Sequence, residues 1–196
     1  MSNFYAMITR MKYIERWALM HNTRRENLSE HSLEVSILAH ALAVIGNTRC
    51  GKQLHAERAA LIGLYHDASE IITGDMPTPI KYSSKEMKQL FHGVEDEACE
   101  RMLALLPEDM RAAYQDIFFK QEEDMYLWKL EKAADKLSAY MKCMEELAAG
   151  NQEFSSAKQT IYASLLKMQE DVPELGIFME EFLPAYGKNL DELQEG

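Results

Sequence analysis

Apolar residues recur at helical spacing almost from the start of the chain. Phe4, Met7, Ile8, Met11 and Ile14 predict a helix over residues 3–15. A polar stretch, His21 to Glu30, interrupts the pattern. It resumes in SEHSLEVSILAHALAVIG, where Asn27 or Ser29 can cap a helix and Gly46 can stop it. HAERAALIGLYHDASEII predicts the next helix, at about 55–72. TGDMPTPIKYS cannot continue it, because Gly74, Pro77 and Pro79 break helical backbone. Helical periodicity returns over about 84–106, over about 107–118 with Pro107 in the first turn, and over about 122–149, closed by Gly150. Two more segments cover about 151–170 and 174–183. No stretch alternates apolar and polar residues with β-branched enrichment, so the fold class is all-α.

Composition agrees and narrows the partners. A chain of 196 residues suits one domain and can bury roughly 70% of its unfolded surface without staples. The balance of 13 Met against 9 Gly and 5 Pro favours helices. A net charge of −11 repels polyanions and argues against a nucleic-acid polymer as partner. It leaves room for a small anion, since a metal or a few local cations invert the field within one pocket. Cys50, Cys99 and Cys143 form no CxxC pair and are odd in number, which reads as three reduced thiols. The N-terminus MSNFYAMITRMKYIERW lacks a signal-peptide layout, and no uninterrupted apolar run approaches about 18 residues. A cytoplasmic location without membrane contact is the expectation.

The chemistry concentrates in ALIGLYHDASEIITGDMPTP, residues 59–78. His66, Asp67 and Glu70 fall within five positions of a helix that otherwise looks like core. In an α-helix His66 and Glu70 share a face, and Asp67 is rotated by about 100° from His66. His31 and Asp135 are similar anomalies in other amphipathic helices. The ordered set is His31, then His66-Asp67 after 34 intervening residues, then Asp135 after 67 more. Imidazole and carboxylate together suit a divalent ion such as Mn, Co, Fe, Ni or Zn. Two His and two Asp leave coordination positions open, as a catalytic site requires. Glu70 could then manage protons. Against this stands the commoner fate of such residues, since single histidines mostly pack or sit on the surface. His40, on nearly the opposite face from His31, reads as structural, and His21, His55 and His92 read as surface residues. The Met-rich MKCMEEL reads as core or dimer contact.

H…HD…D on separate helices resembles the HD-domain phosphohydrolases. RWALMHNTRRENLSEHSLEV, YHDASEIITGDMPTPIKY and KAADKLSAYMKCMEELAAGN are similar, in order and approximate spacing, to one branch: the bacterial HD-domain 5′-deoxynucleotidases of the YfbR type. Met76 stands where that pattern often has Leu, a swap that conserves volume. The resemblance implies one HD domain over residues 1–196, with a metal-binding core at about 27–149 and C-terminal helices at about 151–183. It implies a homodimer and a divalent transition metal such as Co or Mn. It implies hydrolysis of deoxyribonucleoside 5′-monophosphates, selective against ribonucleotides. On this chain the implied ligands are His31, His66, Asp67 and Asp135, and Glu70 takes the catalytic role. Arg16, Trp17, Asp75, Thr78 and Lys81 fall in the implied substrate pocket.

Two alternatives remain at this level: an HD phosphohydrolase acting on a cyclic dinucleotide, an alarmone or a dNTP, and a helical dimeric regulator with a vestigial metal site. The TGDMPTP loop could simply join two helices, and Trp17 could simply pack. The loop leaves directly after His66, Asp67 and Glu70, and its two prolines lower the entropy cost of holding a ligand.

Overall fold

The computed structural model describes residues 1–81 and 83–194, and the side chains of all of these except Thr78 and Pro79. The described residues are helical, with no strand. Their helices are α1 (Phe4–Ile8), α2 (Leu28–Arg49), α3 (Ala56–Tyr65), α4 (Glu70–Thr73), α5 (Thr78–Lys81), α6 (Lys85–Ala104), α7 (Glu108–Phe118), α8 (Met125–Ala148), α9 (Ser155–Met168), α10 (Pro173–Glu181) and α11 (Leu190–Gln194). The all-α expectation holds. One isolated antiparallel bridge, Glu15 to Asn27, stands outside the helices.

The chain forms two compact units, residues 1–33 with 64–125, and residues 34–63 with 126–194. The first unit has a small core. Phe4, Met102, Leu103 and Leu106 are buried, with Ile71, Tyr114 and Phe118 packed on them. Phe4 meets Tyr114 edge-on at 4.9 Å, the arrangement that ring quadrupoles favour. The second unit has the larger core, in which Val35, Leu38, Leu42 and Ile62 lie with Leu130, Leu137, Leu165 and Leu175. Two closed polar networks are buried beside it. Glu174 is fully buried, ion-paired with Lys52 Nζ at 2.6 Å and accepting a hydrogen bond from the Tyr126 hydroxyl at 2.8 Å. Lys142 Nζ donates to Glu146 at 2.5 Å, and Asn151 Nδ2 donates to its other oxygen at 2.8 Å.

Several helix limits differ from the sequence expectation, each for a local reason. The segment 3–15 is α1 followed by a 3₁₀ turn over Thr9–Tyr13. Of the two candidate caps for α2, Asn27 is the one used. Its Oδ1 accepts from the backbone N–H groups of Ser29 and Glu30, and Glu30 reaches back to the Asn27 N–H, a capping box. Gly46 does not stop α2, which runs on to Arg49. Its lack of a side chain serves packing instead, because a Cβ there would lie 2.7 Å from Glu174 Oε1 and 2.8 Å from Leu54 Cδ1. Pro107 is the N-cap of α7 and not its first helical residue. By length and composition α2 could cross a membrane, although it contains no uninterrupted apolar run of that length. Here its Val35, Leu38, Ala39, Leu42 and Ala43 are buried in the second unit's core.

The segment 55–72 is not one helix. It ends as an α-helix at Tyr65, turns through residues 66–69 and becomes helical again at Glu70. The turn is held by three-residue hydrogen bonds, from Ala68 N–H to Tyr65 O (3.0 Å), Glu70 N–H to Asp67 O (2.9 Å) and Ile71 N–H to Ala68 O (3.3 Å). Three-residue turns advance by about 120° per residue against about 100° in an α-helix, so the apolar rhythm survives while the helix tightens. The four-residue spacing of His66 and Glu70 therefore does not place them on one α-helical face.

Candidate metal centre and its surroundings

His31 sits in the first turn of α2, its backbone N–H bonded to the Asn27 carbonyl at 3.1 Å. The ring is buried, with 1% of the residue exposed. His66 and Asp67 open the tight turn after α3. The His66 side chain is 1% exposed and that of Asp67 is 19% exposed. Asp67 Oδ2 lies 2.9 Å from His66 Nε2 and 3.6 Å from His31 Nε2. The ring centroids are 5.2 Å apart, and one donor atom from each of the three residues lies within 4.8 Å of the others. Two donors about 2.1 Å from one ion, subtending about 90–110°, lie about 3.0–3.4 Å apart. The three side chains thus fit a divalent metal in donor chemistry, and their donor atoms lie close enough for a small inward adjustment to bring them to one ion.

The Glu15–Asn27 bridge brings the polar segment 14–28 into this unit's site. Leu28 N–H donates to Ile14 O at 2.9 Å, and Arg16 N–H donates to Glu26 O at 3.0 Å. The side chains repeat the pairing. Arg16 Nε donates to Glu26 Oε1 at 2.8 Å, and Arg16 NH1 lies 3.5 Å from Asp67 Oδ2. Glu26 Oε1 also lies 3.7 Å from His31 Nδ1. Glu26 was not among the residues that the sequence singled out. Its only signal is its place directly before the Asn27 cap, and its pairing with Arg16 needs the bridge. Trp17 follows with φ +58°, the one non-glycine residue with positive φ among those described. Such a conformation costs roughly 1–3 kcal/mol and persists only where surrounding contacts over-determine it. Those contacts are visible: Met20 N–H and Asn22 Nδ2 both donate to the Trp17 carbonyl, at 2.9 and 3.2 Å.

The carboxyl groups are electrostatically uneven. Burial alone would raise Asp67, but His66, His31 and Arg16 outweigh it and hold the group well below the usual carboxylate range. Glu70 is pushed up to about 9, first by burial and then by the charges of Asp67 and Asp75, against the opposing pull of Arg16 and His66. Its Oε2 is buried and makes no hydrogen bond to a described residue. Asp75 is raised by burial, with Arg16 opposing and Asp67 adding to the rise. It also accepts a hydrogen bond from the Trp17 backbone N–H. Arg16, Trp17, Asp67, Glu70 and Asp75 thus form one interacting group.

Lys81 reaches that group through its charge on Asp75. Its Nζ lies 2.5 Å from Glu95 and over the Phe91 ring at 4.7 Å. The side chain of Thr78 lies outside those described. Asp135 stands on α8 in the second unit, with its Oδ2 3.7 Å from Lys136 Nζ. His21, His55 and His92 are on the surface, as expected, and His40 is also exposed.

Comparison with solved structures places this fold among the HD-domain phosphohydrolases. An HD-domain phosphohydrolase from Listeria innocua superposes with a TM-score of 0.82 at 20% identity, over 94% of this chain and 88% of that one. The HD phosphohydrolase DatZ of cyanophage S-2L, solved with dA and one catalytic Zn2+ ion, gives 0.62 at 22% identity, over 94% of this chain and 96% of that one. The model of the 5′-deoxynucleotidase YfbR-like family matches residues 3–186, and the chain belongs to that family. The chain is 43% identical to the 5′-deoxynucleotidase of Erwinia tasmaniensis, over 99% of this chain and 97% of the relative. It is 45% identical to that of Yersinia pestis, over 98% and 97%.

Proposed function

We infer that this protein is a metal-dependent phosphomonoesterase that hydrolyses deoxyribonucleoside 5′-monophosphates to deoxynucleoside and phosphate. The observation that carries this reading is the His31–His66–Asp67 cluster with the Arg16 guanidinium 3.5 Å from the Asp67 carboxylate. It joins a cation site to an anion-binding side chain in a protein whose net charge is −11. The family and the names of the relatives supply the substrate class.

His31, His66 and Asp67 would hold the cation, and Asp135 is the proposed fourth ligand on the H…HD…D pattern of the sequence. Co, Mn and Zn all suit such a donor set. When bound, the cation supplies Lewis acidity toward water and phosphate oxygen. Arg16 orients the phosphate through charge-assisted hydrogen bonds. Burial and the charges of Asp67 and Asp75 raise Glu70, and a cation nearby would favour its carboxylate. That carboxylate can accept a proton from the attacking water, and the carboxyl so formed can return it to the departing 5′-oxygen. Asp75, Thr78 and Lys81 line the proposed nucleoside side, and Trp17 is the proposed wall against a 2′-hydroxyl.

A homodimer in the cytoplasm completes the proposal. One face of α2 leaves Leu33, Ile37 and Val44 exposed, at 57, 60 and 39%. With His40 these residues recur at helical spacing along one face, which a second copy of the same face could cover in an isologous contact. Sedimentation of the wild type and of Ile37→Glu checks it.

The activity is tested by reloading metal-free protein with Mn, Co, Zn, Ni or Mg. Phosphate release is then measured on the four deoxynucleoside monophosphates, their ribo counterparts, dNTPs and cyclic dinucleotides. Turnover confined largely to the deoxynucleoside monophosphates is expected. Preferential turnover of a dNTP or a cyclic dinucleotide, or none with any metal, would overturn the assignment.

A further inference from the structure

With Arg16 serving the phosphate and His31 the metal, Glu26 is left without a task. Three observations single Glu26 out. Its side chain is only 15% exposed, unusual for a glutamate. One oxygen, Oε1, faces two functional groups at once, Arg16 Nε at 2.8 Å and His31 Nδ1 at 3.7 Å. Its backbone is tied to Arg16 as well, through the Arg16 N–H to Glu26 O bond of 3.0 Å, so side chain and main chain hold the same pair together.

The consequences follow from the donors involved. Arg16 Nε sits at the root of the guanidinium plane. A charge-assisted bond there fixes the plane and hence the direction of the terminal nitrogens. NH1 points to Asp67 Oδ2 at 3.5 Å, which sets the phosphate-binding tip beside a ligand carboxylate. At His31 the carboxylate lies 3.7 Å from Nδ1, close enough to attract an N–H on that side of the ring. The Nε2 lone pair is then directed to the side where Asp67 Oδ2 lies, 3.6 Å away. Glu26 also starts its work from a rigid base, since it immediately precedes the Asn27 cap that anchors the first turn of α2.

We propose that Glu26 is a positioning residue that locks Arg16 and His31 into one geometry, so that the cation and the phosphate are held in register. This rests on the function proposed above. The same carboxylate faces both halves of the site, so its removal has two separable signatures.

The test is Glu26→Gln in the full chain, which keeps the shape and removes the charge. Mn and Co binding is titrated in the absence of any substrate, and kcat and KM are measured on a deoxynucleoside monophosphate. A 10–100-fold loss of metal affinity is expected, the usual effect of losing a carboxylate behind a ligand histidine. A several-fold rise in KM should accompany it at saturating metal. In an Arg16→Ala background the KM effect of E26Q should vanish while the metal effect remains. Glu26→Asp should restore part of both. If E26Q binds both metals as tightly as the wild type and keeps its KM, or if it lowers only the melting temperature, Glu26 is a structural ion-pair partner and the proposal fails. If the wild type itself binds neither metal, the functional reading fails instead. If E26Q does not fold, Glu26→Asp carries the same two measurements, and wild-type values for it would also sink the proposal.

Discussion

Two sets of charged groups, one in each unit, are built in opposite ways. In the second, Lys52, Tyr126 and Glu174, and again Lys142, Glu146 and Asn151, form closed groups in which each buried carboxylate meets a cation and a further donor. In the first, Asp67, Glu70 and Asp75 are close enough for each to disturb another, and Arg16 is shared between Glu26 and Asp67. A closed network lowers the cost of burying charge. Carboxyls that raise one another do the reverse, and such uneven clusters are what a cation-binding catalytic site requires. The closed groups tie the second unit's helices together, whereas the uneven cluster in the first unit has the donor chemistry to take up a cation.

The sharpest way to break that contrast is to remove a ligand. Asp67→Ala or His66→Ala should reduce turnover by at least about 10⁴-fold, about 5 kcal/mol of barrier. It should also abolish the rise in melting temperature that metal gives the wild type, because a ligand stabilises only the state it binds. Elemental analysis and thermal melts check both, and full metal occupancy in Asp67→Ala would contradict the assignment.

The matching change in the second unit is Lys52→Met, which leaves the fully buried Glu174 without its cation. It should cost about 3 kcal/mol, the low end for a broken buried pair, since Tyr126 still donates to Glu174. Denaturant melts measure the loss, and kcat/KM of the folded, metal-loaded protein should stay unchanged. A matching loss of activity at full folding would erase the distinction between the units.

Glu70→Gln should leave metal binding intact and slow turnover by about 10²-fold, about 2.7 kcal/mol. It also has a pH signature. Glu70 titrates at about 9 in the folded metal-free protein, against an ordinary 4.5 when unfolded. Between those values the folded state holds a proton that the unfolded chain has lost. Metal-free stability therefore falls as pH rises through that interval and levels off above it. E70Q lacks this slope, so its melting temperature should gain on the wild type from pH 6 to pH 8, by about 2–4 °C for each kcal/mol. Parallel curves for the two proteins would show that Glu70 is ionised throughout.

The smallest expected effect is on sugar choice. Trp17→Ala should narrow the deoxy-to-ribo ratio of kcat/KM by about tenfold, chiefly by admitting ribonucleotides. Relief of the left-handed backbone is a separate matter, since Ala shares the penalty at φ +58°. If a folded, metal-loaded variant loses rate equally on both sugars, Trp17 is packing and selectivity lies in the Asp75–Thr78 loop.

Much of this was legible in the chain. The apolar rhythm at three- and four-residue spacing marks almost every helix, because burial of one face is what makes those segments helical at all. The donor types at His31, His66 and Asp67 suit a divalent cation, and the H…HD…D order that resembles the HD-domain phosphohydrolases singles them out from other histidines and carboxylates. Helix limits were less legible. Gly46 looked like a stop, yet it lies within α2 because Glu174 needs the space that a Cβ would fill.

By itself, then, the sequence determined the all-helical class and the capping of α2 at Asn27 or Ser29. These depend on residue chemistry and on neighbours within a few positions. Only the tertiary structure decided that His66 and Asp67 leave the α-helix for a tighter turn, that Glu26 meets Arg16 and His31, and that Trp17 is held at positive φ. Those outcomes arise where segments distant along the chain pair and pack. The free energy of one backbone bridge or one buried ion pair then outweighs the small local preferences that a sequence pattern records.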